Sequence, residues 1–82
     1  MNRPEDQVIV PDYVTDQDKA QFVRSTIKQF QMELFKLEVM MTVNGDGIND
    51  QMPDSDMTYN DRARQSIAQI DKLRFAYPHL IG

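Results

Sequence analysis

VRSTIKQFQMELFKLEVMM, residues 23–41, decides the fold. Its apolar side chains at Val23, Ile27, Phe30, Leu34, Leu37 and Met41 recur at alternating steps of four and three. That spacing keeps one stripe of a helix turned toward a partner helix for nearly three heptads. Neither proline nor glycine interrupts the stretch. The same helix carries more apolar surface than one partner covers, because Phe22, Met32, Phe35, Val39 and Met40 lie off the seam. Phenylalanine and methionine on a second face of a soluble helix mark further packing partners, and in a short chain those are other subunits or a larger protein.

Working outward toward the N-terminus, Thr15-Asp16-Gln17-Asp18 reads as a capping box, with Asp18 in place of the usual Glu or Gln. The first helix is therefore expected over about 15–41, at roughly 1.5 Å per residue. Before it, residues 1–14 form an arm. Pro4 and Pro11 break helices, and Gln7-Val8-Ile9-Val10 is short and β-prone, suited to lie extended on a helical surface of this or a neighbouring subunit. The arm has no long apolar core, so no signal peptide is expected.

Toward the C-terminus, Asn44-Gly45-Asp46-Gly47 stops the helix, since glycine and asparagine tolerate the left-handed backbone that ends one. An acidic connection over about 42–57 follows, longer than the roughly 2–8 residues usual between packed helices, and hence functional or mobile. Thr58 with Asp61 resembles a second capping box, opening a helix over about 58–77. Its apolar stripe is Tyr59, Ala63, Ile67, Ile70, Leu73 and Tyr77, and Pro78 closes it near Ala76. Arg62, Arg64, Gln65, Asp71, Lys72 and Arg74 are assigned to its outer face. The fold class is thus all-α, an antiparallel two-helix hairpin with an extended N-terminal arm, one domain, assembled into a helical homo-oligomer.

Composition favours that assembly. At 82 residues the chain is near the lower end of what folds alone. It has no cysteine for disulfides or thiolate metal sites, and one histidine, His79, builds no zinc site by itself. Extra burial is left to come from subunits. A net charge of −4 argues against general nucleic-acid binding, which requires a basic face. No apolar run approaches the roughly 18–20 residues that span a bilayer, and a reducing cytoplasmic setting is expected.

Chemistry-bearing patterns are few. Asn44, Asp46 and Gly47 fall on positions of a calcium-binding EF-hand loop. That register, however, puts Thr42 where the first aspartate belongs and Pro53 where the bidentate glutamate belongs. A solvated, helix-breaking turn is the better reading, and no metal or cofactor is expected. Ser25, Ser55 and Ser66 sit in no nucleophile motif, His79 has no thiol partner, and the carboxylate pairs Asp16/Asp18 and Asp54/Asp56 occupy solvated positions. No enzyme is expected.

Tyr13 stands just ahead of the long helix, with Ile27-Lys28 placed so that the lysine falls fifteen residues on; Arg64, Leu73 and Ala76-Tyr77 follow on the second helix. In these residues the chain resembles the phage-encoded anti-CBASS sponges, short helical hairpins that assemble as homohexamers and sequester cyclic oligonucleotides. The resemblance spans about residues 13–77. It departs where the family carries a glycine soon after the Ile-Lys, here Gln29-Phe30-Gln31, and in the longer connecting loop. It implies that Tyr13 stacks on a base and Lys28 pairs with a phosphate. Two specific functions remain open, beside a subunit of a larger structural assembly, for which the sequence offers nothing specific. In one, a helical homo-oligomer captures a small anionic ligand through Tyr13, Lys28, Arg62 and Arg64. In the other, a small regulator docks on a larger protein through Phe22, Met32, Phe35, Val39 and Met40.

Overall fold

The computed structural model describes residues 9–81. Within them lie three helices, α1 (Asp16–Asn44), α2 (Tyr59–Ala76) and α3 (Pro78–Ile81), and no strand. The protein is all-α. Pro4 and the Gln7-Val8 part of the apolar arm segment lie outside the described residues. No described helix is long and apolar enough to cross a membrane.

α1 begins as its cap dictates. Thr15 accepts from the Asp18 backbone N–H at 3.1 Å, and Asp18 Oδ2 accepts from the Thr15 N–H at 3.1 Å, so both halves of the box form. The helix runs to Asn44, three residues past the last seam residue, Met41. Gly45 then turns to φ 69, and its N–H and that of Asp46 both reach Met41 O. A side chain at Gly45 would be strained in that left-handed backbone. α2 starts on Thr58, whose hydroxyl accepts from Asp61 N–H at 3.1 Å; of this second box only the hydroxyl half is made.

The seam behaves as its spacing requires. Val23, Ile27 and Leu37 are buried, together with Ala20, while Phe30, Leu34 and Met41 are half-buried. Ala20, Val23 and Ile27 meet Ile70 and Leu80 in one cluster, flanked by Phe30, Leu34, Leu73 and Ile81. Polar contacts show the order of pairing along the two elements: Asn44 reaches Tyr59, Glu33 faces Arg62, and Arg24 donates to Leu80 O. Late α1 therefore meets early α2, and early α1 meets the C-terminal end.

Two expectations for the second half are corrected. The α2 stripe is Tyr59, Ala63, Ser66, Ile70 and Leu73, not one running through Ile67 and Tyr77. Ile67 is 47% exposed because it lies ~100° round the helix from Ser66, which takes the facing position. Tyr77 is the C-cap and is exposed. Pro78 does close α2, yet the chain does not trail off: proline stands at the first position of α3, where its missing N–H costs nothing, and Leu80 is buried in the core. Leu80 thus supplies core that the two longer helices lack.

The acidic connection has structure of its own. Gln51 and Thr58 form an isolated antiparallel bridge, with Met52 N–H donating to Met57 O at 2.9 Å and Tyr59 N–H to Asp50 O at 3.1 Å. Gly47 N–H donates to Asp50 Oδ2 at 2.6 Å. Tyr59, fully buried, locks this loop to α1: its hydroxyl donates to Asp46 Oδ2 at 2.8 Å and accepts from the Asn44 amide at 3.4 Å. The Asn44 amide lowers the phenol's pKa, but desolvation and the Asp46 and Asp50 carboxylates outweigh it and hold the group above its usual value. Asp46 and Asp50 are therefore committed to holding the loop. Among the described residues, no three acidic, histidine or cysteine side chains gather as a metal cage would need.

Candidate functional site

The helix pair offers two candidate surfaces, one apolar and one polar. The apolar one lies on the back of α1. Met32, Phe35, Val39 and Val43 are all exposed and follow steps of three, four and four, which is one face of a helix. At about 100° per residue this row is centred ~160° from the seam, on the side that α2 and α3 cannot reach. Of the residues assigned to a partner face, Met32, Phe35 and Val39 belong to this row and Val43 extends it. Phe22 does not: it is 74% exposed but sits about a quarter-turn away, lining a separate groove with Val10, Tyr77 and His79. Met40 is half-buried beside Leu37 and Met52 of the loop. Val43 is legible in principle, since it lies one helical turn past Val39; ending the helix at Met41 hides it.

The bulk numbers point the same way. Among the described residues, seven apolar side chains are buried and twelve large ones are exposed. The chain exposes 6754 Å², where a compact monomer of 9.6 kDa exposes about 5,100 Å². Ile9, Val10 and Tyr13 of the arm account for part of the surplus. On the helices, Phe22, Met32, Phe35, Val39, Val43 and Phe75 also stand exposed.

The polar surface runs along one side of the junction between α1 and α2. Lys28, Gln29 and Phe30 from α1 share a groove with Arg62 of α2. Arg62 is half-buried on the flank of α2 and not on its outer face, with Nη2 3.9 Å from Glu33 Oε2 and Nη1 donating to Gln65 Oε1 at 3.2 Å. Tyr13, 81% exposed, and Arg64, also exposed, do not line this groove. Thus of the four ligand candidates, Lys28 and Arg62 come together within one chain. His79 lies beyond this surface, its ring 6.4 Å from that of Tyr77.

Ser66 is the residue that periodicity does not reveal. It is 1% exposed on the inner row of α2, and its Oγ finds no hydrogen-bond partner. A small polar residue in an apolar row gives no periodic signal. A buried hydroxyl left unpaired costs about 1–3 kcal/mol. Ser66→Ala is therefore expected to raise the melting temperature by several degrees, as about 1 kcal/mol shifts a domain of this size by roughly 4–8 °C. Calorimetry or thermal circular dichroism reads this directly; a lowered melting temperature would show that the hydroxyl is paired in solution.

No protein-family model, curated protein or solved structure matches the chain, so the geometry alone bears on function.

Proposed function

We propose that this chain is a non-catalytic helical binding protein, an antiparallel two-helix hairpin that works as a homo-oligomer in the cytoplasm. The observation that carries the proposal is the Met32–Phe35–Val39–Val43 row, which faces away from the chain's own core and stays exposed. A second copy of the same row, laid antiparallel, supports the pairing electrostatically. The last turn of α1 holds no basic residue of its own and leads into Asp46, so its negative end favours a cation brought from elsewhere. Lys28, on the same side of α1 as the row and four residues before Met32, reaches that end of an antiparallel neighbour.

The ligand we assign to the assembly is a cyclic oligonucleotide, as the likeness of Tyr13 and Ile27-Lys28 to the sponge family implies. Support comes from Lys28 and Arg62 lining one groove beside Phe30, a groove that Glu33 also lines. Tyr13 and Arg64 would then be contributed by neighbouring copies.

Sedimentation equilibrium and thermal shift together test the reading. The expected mass is a multiple of 9.6 kDa at tens of micromolar. A cyclic di- or trinucleotide at 100 times its Kd is expected to add about 2.7 kcal/mol of stability, with Lys28→Ala abolishing the shift and leaving the fold intact. A monomer at all concentrations overturns the assembly and favours docking of the α1 row on a larger protein. An unmoved melting temperature across the nucleotide panel removes the cyclic-oligonucleotide assignment.

A further inference from the structure

Beyond Lys28 and Arg62, the polar surface continues along α2 as a groove of about 520 Å³ walled by Phe30 and lined by Arg62, Gln65, Ser66, Gln69 and Lys72. Residues 62, 65, 69 and 72 follow steps of three, four and three, so one side of α2 presents a guanidinium, two carboxamides and an ammonium in a row some 15 Å long. No carboxylate lines this groove, although the chain as a whole carries a net charge of −4. Asp71 lies on another side of α2, and Asp61, one turn before Gln65, does not line the groove. Among the described residues, Lys72 has no acidic partner within 4.0 Å, and Arg62 reaches only Glu33, at 3.9 Å.

Two details indicate that the row is built for an oxyanion. Arg62 donates to Gln65 Oε1, which engages the carbonyl end of that amide and leaves its NH₂ as a donor. At the base, Ser66 Oγ is buried with no partner, a hydroxyl with its proton still to give. Every polar group of the groove that remains unengaged is thus a donor or can act as one. An oxyanion is the ligand that consumes such a set, and charge-assisted bonds to it are the strong kind. The half-buried ring of Phe30 adds an apolar wall for the organic part of such a ligand.

We propose that the groove between Phe30 and the Arg62–Gln65–Gln69–Lys72 row of α2 binds the phosphate groups of a small phosphorylated ligand, with Ser66 as the buried donor at its base. The proposal rests on the ligand-capture half of the function above and adds residues to it; it does not depend on the nucleotide being cyclic or on the number of copies.

The test titrates sodium pyrophosphate into the full-length protein, followed by amide and side-chain NMR shifts. Shifts are expected at Ser66, at Gln69 and at the carboxamides of Gln65 and Gln69. Lys72→Gln is expected to weaken binding at least tenfold, while Lys19→Gln, a lysine beside Asp16 outside this groove, leaves it unchanged. Ser66→Ala is expected to weaken pyrophosphate binding while raising the melting temperature, a pairing that loss of fold cannot produce. Equal effects of Lys72→Gln and Lys19→Gln, or no shift at the groove, overturn the proposal. Should a cyclic trinucleotide bind while pyrophosphate leaves the groove amides unmoved, this groove falls and the cyclic-oligonucleotide reading stands. Groove binding of pyrophosphate with no response to any cyclic nucleotide does the reverse: the groove stands and the cyclic ligand is lost.

Discussion

Ile27→Asp yields a chain that does not fold cooperatively. Ile27 lies in the middle of the seam, 7% exposed, packed in the cluster that joins α1 to Ile70 of α2 and Leu80 of α3. Replacing it forfeits about 1.5–3 kcal/mol of apolar burial. It also places a carboxyl among Ala20, Val23 and Ile70, an apolar setting that penalises its charge. A domain of 82 residues holds only about 4–12 kcal/mol in total, at roughly 0.05–0.15 kcal/mol per residue. Several of these are lost at a stroke, and the core is small enough that no other cluster replaces it. Far-ultraviolet circular dichroism with urea titration checks the outcome; a helical spectrum with a cooperative transition like that of the parent would show that the seam assignment is wrong.

The same substitution on the opposite face has the opposite expected result. Phe35→Asp leaves α1 helical and the core intact, because Phe35 is 56% exposed and touches none of the buried cluster. What is expected to change is the proposed self-association. An aromatic anchor at the centre of an interface commonly contributes about 2 kcal/mol or more, and a two-fold contact uses the residue twice. The introduced carboxylates also meet across the axis. Self-association is therefore expected to weaken on the order of a thousandfold, leaving a folded 9.6 kDa species in the centrifuge. Paired with Ile27→Asp, this separates the two stripes of one helix: eight residues apart, one charge is expected to destroy the fold and the other only the proposed assembly.

Most of the fold is legible in the sequence because it rests on periodicity. The four-three spacing from Val23 to Met41 identifies the buried side of α1, and the Thr15–Asp18 box locates its start to within a residue. What the sequence conceals rests on groups that carry no periodic signal. Ser66 interrupts an apolar row, so the apparent stripe passes through Ile67, one residue too far round the helix. Pro78 reads as a terminator, and only the buried Leu80 shows that it also begins α3. The loop over 45–58 looks like solvated turn because its acids are its commonest feature. Its order comes from Tyr59, whose hydroxyl ties Asp46 to the end of α1, a contact thirteen residues apart along the chain. On the ligand side, the pairing of Lys28 with Arg62 needs three dimensions, since nothing in the spacing of two helices says which flanks meet. The row of Gln65, Gln69 and Lys72 reads as plain solvated surface for the same reason.

The antiparallel cover on α1 is tested most directly by mixing isotope-labelled and unlabelled protein and recording only the nuclear Overhauser effects that cross between copies. Cross-copy effects are expected between the Met32 and Val39 methyls and the Phe35 ring, with Val43 meeting the region of Lys28. The contrary result is a set of cross-copy effects confined to other surfaces, or none at all while the Met32, Phe35 and Val39 side chains stay open to a soluble paramagnetic probe.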